Sequence, residues 1–390
     1  MPDPTLPVPA TALPAPAPYG TQTLAEVLPS AAHALGVPGF QNPLGLKSTR
    51  RVNVVMIDGL GWNQLKSNIA HAPFLRRLFD KAQRLSVGFP STTATSLSSL
   101  GTGLAPGAHG MLGYDVIDPE RRRTVNQLGG WPADLDPLAW QPNRTVFEQV
   151  ADAGVHTASV SLALFENSAL TRAALRGPQF VAATSLAARS RATTEVFDAH
   201  RHALVYTYFN ELDKAGHKYG VDSDQWRQTL EELDYTLKTM VSRLPAQTSV
   251  LITGDHGMVD VPASQRIDYS REPELIEGVE LTSGEPRGVQ LSFAAATSDA
   301  VRARVREAWQ RRYGTKAWVL TRQEAIQHGL FGPMRDAVAE RLGDLMILAA
   351  ESIAFYDGRR VNPKAFEMVG QHGSLTTAER LVPLLQLHTE

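Results

Sequence analysis

The 390-residue chain has no cysteine, which excludes a disulfide framework and any thiolate metal site but leaves the redox compartment open. It also lacks an excess of either charge. With 38 Lys and Arg against 40 Asp and Glu, the net charge is −2, so nothing favours a nucleic-acid polymer or an anionic membrane as partner. No apolar run approaches the ~20 residues that span a bilayer. The Pro- and Ala-rich start, residues 1–20, has no basic segment followed by a continuous apolar one. It reads as a flexible tail and not as a secretion signal, and the expected location is cytoplasmic. No internal repeat divides the chain.

What remains is an ordinary globular balance, 43% apolar and 20% charged, in a chain long enough for one large α/β domain carrying an insertion. Short apolar, β-branched runs at 52–57, 155–160, 203–209 and 249–253 alternate with helix-compatible segments at 62–82, 145–153, 184–202 and 222–243. That alternation predicts a mostly parallel central sheet. Residues 115–144, rich in Pro, Asp and Arg, read as surface loops. Residues 262–360 change texture and read as a small α+β subdomain inserted into a catalytic core made of 21–261 and 361–390, the last part ending in a helix.

Two groups of residues suggest chemistry. The first is the hydroxyl-rich stretch Phe89-Pro90-Ser91-Thr92-Thr93-Ala94-Thr95-Ser96, which ends an apolar run and leads into a helix. One of its hydroxyls then lies at a helix N-terminus, where free N–H groups and the dipole favour an alkoxide or a phosphoryl oxygen. The second group is Asp58, Asp213 with His217, Asp255 with His256, and His372. Singly, these could be a turn, a helix cap and a surface imidazole. Together they place acids where apolar strands end, on the sheet edge where open α/β folds bind ligands. Asp and His without Cys suit zinc, or manganese as the harder choice, and six ligands suffice for two ions.

The motifs MIDGLG, FPSTTATS, ELDKAGHKYG, TGDHGM and GQHGS, in this order from about Val52 to His372, resemble the metal-ligand and nucleophile motifs of the alkaline phosphatase superfamily. The resemblance is to its nucleotide pyrophosphatase / type I phosphodiesterase branch. It implies a three-layer α/β/α sandwich, with Asp58, Thr93, Asp255 and His256 on one metal and Asp213, His217 and His372 on the other. It also implies that Thr93, four residues after Phe89, is the nucleophile. The activity it implies is hydrolysis of phosphodiester or pyrophosphate bonds in small, nucleotide-like substrates through a covalent phosphothreonine. Where similar diesterases carry an Asn three residues after the nucleophile, this chain has Ser96, which is expected to line the substrate pocket. That departure keeps phosphomonoesterase, phosphonate hydrolase and sulfatase activity as rivals on the same scaffold, alongside a non-catalytic metal-binding module. His109 is expected to shape its loop.

Overall fold

The computed structural model describes residues 7–389. Its centre is a seven-stranded sheet built from β1 (Arg51–Ile57), β2 (Gln83–Ser86), β5 (His156–Ser161), β6 (Gln179–Ala182), β7 (Ala203–Phe209), β8 (Thr248–Thr253) and the C-terminal strand Leu381–His388. The hairpin β3 (Asp115–Asp118) and β4 (Arg123–Asn126) belongs elsewhere. The spatial order is β2, C-terminal strand, β8, β1, β7, β5, β6. β1 pairs in parallel with both β7 and β8, which brings strands far apart in sequence side by side. Every residue of β7 and β8 is buried. This follows from the crossover helices, which cover both faces of such a sheet. Two apolar clusters lie on its faces, one holding Val54, Met56 and Leu100, the other Val55, Ile57 and Trp226. The mostly parallel sheet between helical layers agrees with the fold expected from the strand–helix alternation.

Residues 262–360 do contain a second, antiparallel sheet with its own apolar cluster around Trp309 and Phe355. It is not formed by that segment alone. The strands Ala317–Thr321, Leu345–Ala349, Gly288–Phe293 and Val279–Glu285 are extended by β3 and β4, through a pairing of Gly284 with Asp115. The stretch 115–126, expected as loop, is thus a hairpin that closes the inserted sheet. A second correction concerns the end of the chain. After a short helix, Thr377–Arg380, the final segment is the one antiparallel strand of the central sheet and not a helix.

The expected flexible tail differs as well. Residues 1–6 lie outside the described residues, but from Pro7 the chain is strapped along the molecule. Trp318 Nε1 donates to the Thr11 carbonyl, Arg380 to Ala15, and the Tyr19 hydroxyl to Leu330, at 3.0, 2.6 and 2.7 Å. A proline-rich segment offers carbonyls it cannot pair with itself, and these donors use them. No helix among the described residues is long and apolar enough to cross a membrane.

The two sheets are joined by a buried ion pair. Arg287 donates to both carboxylate oxygens of Glu379 at 2.7 and 2.9 Å, and its remaining nitrogen bonds the Glu351 and Ile353 carbonyls. Glu379 also accepts from the Ser374 N–H at 3.0 Å, two residues beyond His372. Arg287→Met should therefore lower stability by about 3–5 kcal/mol, because it leaves Glu379 buried and unpaired. In urea unfolding the double variant Arg287→Met/Glu379→Leu should recover a large part of that loss. Equal midpoints for the single variant and the parent would contradict the role assigned to the pair.

Candidate active site

Three adjacent strands, β7, β1 and β8, end at one edge, and the chemistry-bearing residues follow each of them. Asp58 directly follows β1, Asp255 lies two residues beyond β8, and Asp213 and His217 share one face of the helix Glu211–Tyr219 after β7. Asp58, Asp255 and His256 have ligand atoms within 4.8 Å of one another, and so do Asp213, His217 and His372. The two groups touch: the rings of His256 and His372 stack with centroids 3.6 Å apart. Gly59 makes this approach possible. Its φ is +77°, and a Cβ there would lie 3.0 Å from the Asp213 backbone, so only glycine fits without strain.

The residues fit divalent cations in two further respects. Each carboxylate keeps one buried oxygen with no hydrogen-bond partner: Oδ1 of Asp58, Oδ1 of Asp213 and Oδ2 of Asp255. The other oxygens of Asp58 and Asp255 are tied back, to the Tyr208 hydroxyl and to the Gly59 N–H. The histidines are oriented in the same way. Nδ1 of His217, His256 and His372 lies 2.8, 3.0 and 3.0 Å from the carbonyls of Gly370, Gly257 and Ser91. A carbonyl only accepts, so Nδ1 carries the proton and Nε2 is free to ligate, as the outer contacts of metal-binding histidines require.

Without cations the charges conflict. Burial, together with the Asp58 charge, pushes the Asp213 and Asp255 carboxyls well above the usual carboxylate range. Burial acts on Asp58 in the same direction but is outweighed by the close contact and charge of His256, whose Nε2 lies 3.4 Å from Oδ1, so Asp58 stays below it. Burial alone would lower His256, but the surrounding carboxylates lift it to about 10. The cluster holds protons where metal ions would replace them.

Thr93 is the first residue of the helix Thr93–Thr102, and its hydroxyl lies 3.2 Å from His256 Nε2. Thr92, the preceding cap position, makes no side-chain cap hydrogen bond, which leaves the first-turn N–H groups available to an anion. A cavity of about 760 Å³ opens here, lined by Asp58, Thr92, Thr93, Asp213, His217 and His372 among others. Ser96 does not line it. Its side chain is wholly buried with Oγ unpartnered, because successive side chains point about 100° apart around a helix and Ser96 is turned away from the cavity. Leu97 reaches the cavity instead, and polar contacts there come from Tyr114, Asn126, Asn210 and Glu285. Sequence reasoning missed these four; only Asn210, next to a strand end, carried a positional signal. His109 is buried behind the helix, with Nε2 3.0 Å from Ser99 Oγ, and burial lowers it to about 3. It is a scaffold group.

The sequence profile of the type I phosphodiesterase / nucleotide pyrophosphatase family matches residues 52–375. The bis(5'-adenosyl)-triphosphatase of Mus musculus is 23% identical over 244 residues, covering 60% of this chain and 52% of its own length. The chain thus spans about half the length of that curated relative. Murine ectonucleotide pyrophosphatase / phosphodiesterase 5, an inactive variant of which was solved in complex with AMP, superposes with a TM-score of 0.66 at 17% identity, covering 86% of this chain and 87% of its own. Phosphonoacetate hydrolase from Sinorhizobium meliloti 1021, in complex with phosphonoformate, does so with a TM-score of 0.65 at 20% identity, over 87% and 90%. These two likenesses establish the alkaline phosphatase-like fold.

Metal removal gives a prediction with a definite sign. His256 holds its proton up to about 10 when folded and to 6.5 when free. Between those values the folded chain binds the extra proton, so the stability this adds at neutral pH is lost as pH rises toward 10. Asp213 and Asp255, both raised, lose stability in the same direction, while His217 and His372, lowered by burial, are already neutral there. The urea midpoint of chelated protein should fall from neutral pH to about 10, and added zinc should raise it most at the alkaline end. A flat profile would mean that the cluster does not hold the proton.

Proposed function

The chain belongs to the type I phosphodiesterase / nucleotide pyrophosphatase family, and on that premise we propose that it hydrolyses phosphodiester or pyrophosphate bonds of nucleotide-like substrates through a covalent phosphothreonine on Thr93. The observation that carries this reading is the Thr93 hydroxyl at an uncapped helix N-terminus, 3.2 Å from His256 and lining the same cavity as Asp58, Asp213, His217 and His372. Asp58, Asp255 and His256, with Thr93, would hold one divalent ion, and Asp213, His217 and His372 a second, zinc being the better match and manganese the alternative. When bound, such ions lower the pKa of a hydroxyl or a water and neutralise charge as it develops.

The chain's own residues then have defined tasks. Thr93 Oγ1, its proton given up to solvent, attacks phosphorus in line, forming the O–P bond as the bond to the leaving oxygen breaks and its electron pair departs with that oxygen. The first-turn N–H groups of the helix receive a non-bridging oxygen. Water then cleaves the Thr93 ester, releasing the phosphoryl product and restoring the hydroxyl. Tyr208 and the Gly59 N–H keep Asp58 and Asp255 oriented throughout.

The cavity supports a nucleotide as substrate. Its lining includes Leu97, Phe165, Leu170 and Phe180, and the Tyr206 and Ser161 hydroxyls, buried without partners, a setting for a flat, partly polar ring. The relatives agree, one being named for a dinucleoside triphosphate and another, with a threonine changed to alanine, having been solved with AMP. A phosphonate substrate is the second reading. It is favoured by Lys214, an exposed cation at the cavity lining beside Asp213 that could receive a carboxylate.

Thr93→Ala should keep both metals by elemental analysis yet lose the phosphorylated intermediate and roughly a thousandfold or more in kcat for bis-p-nitrophenyl phosphate. Thr92→Ala should retain activity. Asp255→Ala should lose metal and turnover together, whereas His109→Ala should lose far less. A Thr93→Ala enzyme that still accumulates a covalent phosphoryl adduct would end the reading.

A further inference from the structure

The inserted hairpin brings to the cavity an acid that this reaction does not use. Glu285 ends the strand Val279–Glu285, follows Gly284 at φ +84°, and is only 4% exposed. It lines the cavity together with Thr92 and Thr93. Three loops of the core close around it. Its Oε1 accepts from the Tyr114 N–H at 2.8 Å, and the Thr92 hydroxyl lies near the same carboxyl. A Cβ at Gly113 or Gly373 would come within 2.9 or 2.7 Å of its side chain, so these two glycines leave the space it occupies. Thr92 precedes Thr93 and Gly373 follows His372. The neighbouring guanidinium groups are engaged elsewhere, Arg287 with Glu379 and Arg360 with Asp115.

We infer that Glu285 selects substrates by charge, disfavouring a phosphoryl group with two negative charges and so favouring diesters over monoesters. The inference rests on the Thr93 reading above. A diester brings one negative charge to the site, and a monoester near neutral pH brings close to two. A carboxylate that no guanidinium or ammonium group pairs with, lining the same cavity, repels the second charge in surroundings that screen it poorly. An effect on the order of tenfold in relative affinity follows for one additional charge contact of this kind. Burial lifts the carboxyl to about 7, so it is charged in mildly alkaline buffer.

The test separates charge from support. Glu285→Gln keeps an acceptor for the Tyr114 N–H and a polar partner for Thr92 but removes the charge; Glu285→Ala removes both. In metal-loaded full chain at roughly pH 8.5, Glu285→Gln should lower the ratio of kcat/KM for bis-p-nitrophenyl phosphate over p-nitrophenyl phosphate by about tenfold, mainly by a gain on the monoester. Calorimetry gives a readout that needs no turnover. In a Thr93→Ala background, Glu285→Gln should bind inorganic phosphate on the order of tenfold more tightly and leave dimethyl phosphate unchanged. If the parent enzyme turns over no ester, the proposed function fails while the calorimetry still decides on Glu285. Unchanged phosphate affinity, or equal tightening of both anions, would overturn charge selection. Loss of metal in Glu285→Gln would overturn it too, because the carboxyl would then be a support of the ligand loops.

Discussion

Three carboxylates withdrawn from water at one sheet edge set the terms for the rest of the molecule. Two unit charges about 4 Å apart repel by roughly 4 kcal/mol at the effective dielectric of a protein, so Asp58, Asp213 and Asp255 cannot all ionise together without cations. The surrounding structure nonetheless holds them together. β1 lies between β7 and β8, Gly59 clears the approach to Asp213, and the Tyr208 hydroxyl and Gly59 N–H fix one oxygen of Asp58 and of Asp255. Three histidines turn the same nitrogen inward because a backbone carbonyl holds the other. A fold that only needed stability would not gather groups that repel at one buried sheet edge. The arrangement is therefore best understood through what would bind there.

Much of this was legible because buried parallel strands are continuous apolar runs. The segments 203–209 and 249–253 could be read without knowing their partners, and an acid just past such a run lies at the strand's end wherever the strand sits in the sheet. Elements whose identity depends on a distant partner were not legible. β3 and β4 are short and half polar, and their place in a sheet depends on the pairing of Asp115 with Gly284, far along the chain. The last strand has apolar residues at Leu381, Val382, Leu384 and Leu385, a spacing that fits a helix face as well as a buried strand. Only the open edges of β8 and β2 settle the matter. Ser96 failed for a local reason: direction around the helix, and not sequence distance from Thr93, decides which side chain reaches the cavity, and Leu97 does so while Ser96 does not.

The two sheets divide the work. The core sheet holds the residues that would bind metal and carry Thr93, whereas much of the rest of the cavity lining is presented by the second sheet, the hairpin that completes it and the turn after Ala354–Tyr356: Tyr114, Asp115, Asn126, Glu285 and Arg360. The Arg287–Glu379 pair links these halves, and through Ser374 it reaches the loop of His372. The inserted part is therefore not an independent lid. Its seating and the position of one ligand loop depend on the same buried hydrogen bonds.

That division bears on how one scaffold serves several substrates. A change at Asp58, Asp213 or Asp255 alters the charge balance that the ions must meet, so it affects binding of metal before it affects choice of substrate. Residues on the second sheet are free of that constraint. They touch the cavity without entering the ligand groups, and their charge, size and hydrogen-bonding can vary while the sheet edge stays fixed. Pyrophosphatase and phosphonoacetate hydrolase structures at 17–20% identity share this fold, which is what such a separation allows. In this chain the second sheet contributes the acid Glu285, the turn after Ala354–Tyr356 contributes Arg360, which is ion-paired with Asp115, and a core helix contributes the cation Lys214 to the same lining. In the proposed reaction the charge of a substrate would accordingly be read by the balance of those three side chains more than by the metal ligands, and its apolar part by Leu97, Phe165, Leu170 and Phe180.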